Sequence, residues 1–146
     1  MTVSDPYLQV FLAGFLSATL LPGGSEFLVF HYAARNNFIF LVIFATIGNV
    51  AGSFFNYILG RWFSRLLNNK WIGQNHEKLR KAEFLFNKWG SGILFFSFLP
   101  IIGDPLTMVA GILKYSIPGF LVWVTAGKAL RYLIIGYGGT FANFFI

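Results

Sequence analysis

Four charged residues stand where charge is costly. Glu26, Asp104, Lys128 and Arg131 each fall within a long apolar stretch. A charged group at the centre of a bilayer costs about 2.5–3.5 kcal/mol on insertion scales, so it faces a cavity or a partner. An acid at that depth exchanges a proton as its surroundings change. Glu26 and Asp104 are therefore candidates for proton coupling or for contact with a polar headgroup. Lys128 and Arg131 lie three residues apart and share a helix face. They suit neutralising the two acids or binding an anionic phosphate, Arg by a bidentate contact and Lys as a point charge. The plainer alternatives are that each acid caps a short helix at its favourable N-terminus and that Arg131 snorkels toward an interface.

The acids recur in one setting. Leu21-Pro22-Gly23-Gly24-Ser25-Glu26 and Leu99-Pro100-Ile101-Ile102-Gly103-Asp104 align proline on proline and acid on acid, and Pro105 follows the second acid. Supporting residues are expected on the apolar segment between them. Gly48 and Gly52 permit close helix packing. Asn49, Asn56 and Tyr57 add hydrogen-bonding groups, and Gly60-Arg61 ends the pattern. His31 and His76 lack the neighbouring carboxylates of a metal site, and no cofactor is expected. No phosphate-binding glycine loop or nucleophile elbow is present. Gly103-Asp104 has a faint likeness to the Gly-x-Gly-Asp of intramembrane aspartyl proteases, but Ile101 stands in place of the first glycine. An enzyme is not expected.

The elements that position these residues follow from composition. The 146 residues are 56% hydrophobic, 20% aromatic and only 11% charged, with mean hydropathy +0.66. A soluble domain carries about 25% charged residues, and a chain this short cannot hide so much apolar surface from water. It reads as an all-α, multi-pass membrane protein. There is no cysteine. Met1 to Pro6 holds Asp5 and no basic residue, so a cleaved signal peptide is not expected.

Four apolar stretches are visible. Phe38 to Leu59 carries no charge and is long enough to cross, and Tyr115 to about Gly139 matches it in length. Pro118 suits the first turn of the latter. The other two, Tyr7 to Ala34 and Trp89 to Leu113, are broken by Pro, Gly and an acid. They read as re-entrant helical hairpins; full-length kinked helices are the alternative. Irregular backbone at membrane depth survives only where protein or water satisfies its polar groups.

With an offset of 78 residues, Gly60 also falls on Gly138. The reading is a single membrane domain, with residues 1–60 as a first repeat, 61–88 as a connector and 89–146 as a second repeat. One hairpin plus one span per half makes an odd number of crossings, so the halves would be inverted, as in many transporters. Four full spans would make them parallel. The connector carries seven basic residues against two acids within a net charge of +6, which places it in the cytoplasm by the positive-inside rule rather than on nucleic acid. Glu77 to Phe86 has the spacing of an amphipathic helix on the membrane face, with an ordinary solvated helix as the alternative.

Taken together, these motifs resemble the DedA membrane proteins, also called the SNARE-associated Golgi protein or VTT-domain superfamily, and in particular their short bacterial YqaA-like branch. The resemblance rests on residues 21–26, on Gly48-x-x-x-Gly52-x-x-x-x-Tyr57-x-x-Gly60-Arg61, on Phe98-Leu-Pro-Ile-Ile-Gly-Asp-Pro-Leu106, and on Gly127-Lys128-x-x-Arg131-Tyr132. It implies an inner-membrane location, two opposed hairpins, and movement of lipid across the bilayer. Some relatives are assigned as undecaprenyl-phosphate flippases and distant ones as phospholipid scramblases, with coupling to the proton-motive force through intramembrane acids. By position, Glu26 and Asp104 would be those acids. The chain departs from the family where arginines flank the second hairpin; Ser97-Phe98-Leu99-Pro100 has none, and Lys128 and Arg131 are expected to supply the missing charge. The expected partners are membrane lipids and protons, with a homodimer enclosing a lipid-sized cavity. The alternatives are a non-transporting assembly module, with its charges in closed pairs, and a small-solute or ion transporter.

Overall fold

The computed structural model describes residues 5–19, 24–33, 35–66, 69–99 and 102–145. They form α1 (Pro6–Thr19), α2 (Gly24–Tyr32), α3 (Phe38–Leu66), α4 (Asn69–Trp89), a 3₁₀ helix η1 (Gly90–Phe98), α5 (Gly103–Ile112) and α6 (Ile117–Phe145). No strand occurs among the described residues, as the all-α reading expects.

The helices come in two lengths. α3 and α6 have 29 residues each. At 1.5 Å per residue they extend ~43 Å, more than the ~30 Å hydrocarbon core. Only 44% and 33% of their apolar windows are buried, whereas a soluble core helix is buried all round. Ile39, Ile47, Val122 and Ile134 point outward. The basic side chains of Arg61 and Arg65 do not stop α3, which continues past Gly60 through Leu66. Pro118 sits in the first turn of α6 as expected.

The two broken stretches are each a pair of short helices, none of them long enough to cross. α1 and α2 run antiparallel. Tyr32 Oη at the end of α2 donates to Gln9 Oε1 near the start of α1, at 2.7 Å. η1 and α5 do the same: Gly103 lies against the Ser97 carbonyl at one end, and Gly90 faces the Tyr115 hydroxyl at the other. Neither broken stretch is one kinked full-length helix. Pro22 and Pro100 lie outside the described residues. η1 is nine residues of 3₁₀ helix, a form that seldom exceeds three or four.

Each long helix packs on the first short helix of its own half and the second short helix of the other half. α3 touches α1 and α5; α6 touches η1 and α2. Glycine makes these crossings close. A Cβ on Gly60 would overlap the Met108 carbonyl, and one on Gly139 would overlap the Phe30 carbonyl. α3 and α6 cross antiparallel, with Phe38 beside Tyr137 and Tyr57 beside Phe120.

Two apolar cores result. One gathers Val10, Val29, Leu41, Val42 and Ala45 with the Tyr132 ring. The other gathers Tyr57, Phe86, Leu94, Ala110, Phe120 and Val124. Between them, at Asn49 on α3 and Lys128 on α6, the contacts turn polar. α4 joins the second core through Phe86, whose ring lies 5.3 Å from that of Tyr115. Its Phe84, Leu85 and Trp89 stay exposed, and Lys81 pairs with Glu77 at 2.8 Å on its exposed face.

Candidate functional site

The polar layer is assembled from four helices. Glu26 lies in the first turn of α2 and Asp104 in the first turn of α5. Both carboxylates thus sit at positive helix ends. Lys128 and Arg131, one turn apart on α6, reach opposite halves of the chain. Lys128 Nζ lies 3.2 Å from Asp104 Oδ1. Arg131 Nη2 pairs with Glu26 Oε1.

The two pairs differ in depth. The Lys128 side chain is 2% exposed, that of Arg131 13%. Burying an ammonium without partners is prohibitive, and Lys128 has a second one: it donates to Asn49 Oδ1. An ammonium only donates, so this contact fixes the orientation of the Asn49 amide. Asn49 Nδ2 then donates to Tyr132 Oη at 2.7 Å. Tyr132 Oη shares a second bond of 2.7 Å with Ser25 Oγ, the neighbour of Glu26. A continuous chain of polar contacts therefore runs Asp104–Lys128–Asn49–Tyr132–Ser25. It joins the start of α5 to the start of α2 across the two long helices.

Of the residues the sequence singles out, Glu26, Asp104, Lys128, Arg131 and Asn49 are brought together. Tyr57 and Arg61 are not. Tyr57 Oη donates to the Tyr115 carbonyl and accepts from Arg61 at 3.0 Å, tying α3 to the turn before α6. Pro105 lines an apolar pocket with Phe86, Ile93 and Val109. Ser25 and Tyr132 join the site although sequence position alone does not place them there. Tyr132 carries a signal: it follows Lys128 by four residues, on the same helix face. No group of three metal-ligating side chains occurs among the described residues.

The side chains of Glu26 and Asp104 are 30% and 25% exposed. Chemically the layer is a set of paired charges that can change partners. A proton on Asp104, or a competing anion at Lys128, would open that pair without breaking a covalent bond.

Comparison with known proteins adds an independent line. The VTT domain family model matches residues 8–141. The chain is 34% identical to the Escherichia coli inner membrane protein YqaA over 129 residues, covering 87% of this chain and 86% of that one. An uncharacterized Haemophilus influenzae protein is 30% identical over 135 residues, 86% and 82% of the two chains. A Lactococcus lactis protein named alkaline phosphatase-like is 33% identical over 104 residues, but these span only 49% of its length. No solved structure matches.

Proposed function

The chain belongs to the VTT-domain family of membrane proteins, the DedA family, and from that premise we propose that it moves a phosphate-bearing lipid across the bilayer. It is an inner-membrane protein, like its Escherichia coli relative, with α3 and α6 as its two spans. α1–α2 and η1–α5 enter from opposite faces as re-entrant hairpins, and the two halves form an inverted repeat. The exchange of packing partners between the halves supports this arrangement, as does the antiparallel crossing of α3 and α6.

One observation carries the functional reading: an acid from each half meets a cation of α6 in a single polar layer amid otherwise apolar packing. In the closed state the pairs satisfy one another. A lipid phosphate arriving at the layer competes with Asp104 for Lys128, and with Glu26 for Arg131. Protonation of a displaced carboxylate removes its negative charge and lets the headgroup stay; loss of that proton restores the pair and expels the headgroup. The proton gradient then gives the cycle a direction. Arg131 suits the bidentate phosphate contact and Lys128 the point contact.

The paired state also supports a second reading, in which the charges only staple the fold and the protein assists assembly in the membrane. Vesicles holding wild type, Glu26→Gln or Asp104→Asn, tested for movement of a fluorescent phospholipid, separate the two. Transport expects each variant to slow flux by about tenfold or more, since a hydrogen bond to a charged group contributes about 1.5–3 kcal/mol and about 1.4 kcal/mol is a factor of ten. Stapling expects lower melting temperatures and unchanged flux.

A further inference from the structure

Only one side of α4 is accounted for by the second core. Phe86 packs there, yet Leu85 and Trp89 beside it stay exposed. Lys78, Ala82, Leu85 and Trp89 stand at i, i+4, i+7 and i+11, so they form one stripe of the helix. Lys81 and Lys88 flank the stripe, each within a turn of Leu85. Glu83 and Asn87, two residues either side of Leu85, fall on the far face. A stripe that is apolar and basic together suits the headgroup boundary of a bilayer.

Contacts with the rest of the chain set the level of this stripe. Tyr115 comes just before Ile117, where the α6 span begins. Phe86 and Gly90 both meet Tyr115, so the end of α4 lies where α6 enters the bilayer. That is also the depth at which Trp side chains gather. Lys128 is about 16 Å further along α6 than Ile117, and it holds Asp104 at the start of α5. α5 thus runs from mid-membrane back toward α4. The two share a groove of about 210 Å³, with Ala82, Leu85 and Phe86 on the α4 side and Ile102, Pro105 and Val109 on the α5 side. Its walls are apolar. The α4 segment beside it is basic: residues 77–89 hold Lys78, Arg80, Lys81 and Lys88 against Glu77 and Glu83, and Glu77 already pairs with Lys81.

We propose that the C-terminal half of α4 docks on anionic phospholipid of the leaflet it borders, with an acyl chain in the groove beside Leu85 and the headgroup phosphate against Lys78, Lys81 and Lys88. An apolar groove under a basic edge is complementary to a lipid with a hydrocarbon tail and a net negative head. A zwitterionic head matches the groove equally well but offers the lysines no net charge. This surface lies at the edge of the spans, away from the Lys128 layer, and does not rest on the transport reading.

The chain has no cysteine, so a bimane fluorophore can be placed by one substitution, Leu85→Cys on the stripe or Asn87→Cys on the far face. The full chain is reconstituted in phosphatidylcholine vesicles, and quenching is measured with phosphatidylglycerol or phosphatidylcholine carrying a nitroxide on one acyl chain. At position 85 the phosphatidylglycerol probe is expected to quench at a concentration at least fivefold lower, the scale of one basic residue at an anionic surface. At position 87 neither probe quenches strongly. Changing Lys78, Lys81 and Lys88 together to Gln brings the two probes to the same concentration at position 85, as does molar salt. Equal quenching by the two probes in the chain with its lysines overturns the proposal. So does quenching no stronger at 85 than at 87, the result expected if a second copy of the chain covers the stripe. The unsubstituted chain supplies a second readout. Amide exchange over residues 77–89 is expected to slow when phosphatidylglycerol is added to the vesicles, and an unchanged rate also overturns docking. Lipid flux on the same vesicles is read separately: a preference at position 85 without flux defeats transport alone, and flux without the preference defeats docking alone.

Discussion

The two halves deliver their acids in the same way but hold them differently. Glu26 meets Arg131, whose long side chain leaves the pair partly open. Asp104 meets Lys128, whose ammonium is buried and has Asn49 as a second acceptor. Each carboxylate therefore sits at the start of a short helix, and the α6 cation it meets sets how tightly that carboxylate is bound. The second half carries the costlier charge, and the first half the more exchangeable one.

The largest effect that would break this contrast comes from Lys128→Met. It leaves Asp104 without its cation and should destabilise the protein by about 3–5 kcal/mol, as expected on breaking a buried pair. Thermal unfolding in detergent micelles measures it. Combining it with Asp104→Asn should recover much of the loss, and a double variant no better than the single one would show that Lys128 acts through Asn49 instead. Next come the crossings. Gly60→Ala and Gly139→Ala each push a methyl into a carbonyl of the other half, and each should cost about 1–3 kcal/mol by overpacking. Similar losses support equivalent halves, while a loss at one site alone would break the equivalence. Glu26→Gln should cost less, about 1–2 kcal/mol, between the values for exposed and buried pairs. The smallest change is Tyr132→Phe. It removes the hydroxyl that links Asn49 to Ser25, for about 1 kcal/mol, and it sharpens the contrast if its effect disappears in the Asn49→Ala background.

The broad plan was legible because hydropathy and helix breakers report it directly. Two uncharged or nearly uncharged stretches of full length became α3 and α6, and clusters of Pro and Gly marked the two antiparallel pairs. The acids stood out because charge is rare in such a chain. What failed to show depends on how helices cross. Lys128 and Arg131 share a face, so spacing alone could not say which acid each would meet. Tyr57 and Arg61 lay beside Asn49 in sequence but turn toward the second apolar core and the turn before α6. Ser25 and Tyr132 look ordinary until Asn49 is oriented by Lys128. The 3₁₀ form of Gly90–Phe98 has no local signature in Gly-Ser-Gly-Ile-Leu-Phe-Phe-Ser-Phe, and the end of α3 was hidden because arginines are good helix formers.

The central claim is that the polar layer carries a headgroup and is not a staple alone. Movement of a fluorescent phospholipid in vesicles bearing wild type or Asp104→Asn tests it most directly, with melting temperature recorded on the same samples. A loss of rate of about tenfold or more in a protein that stays folded is the predicted result. Equal rates from two equally folded proteins would contradict it.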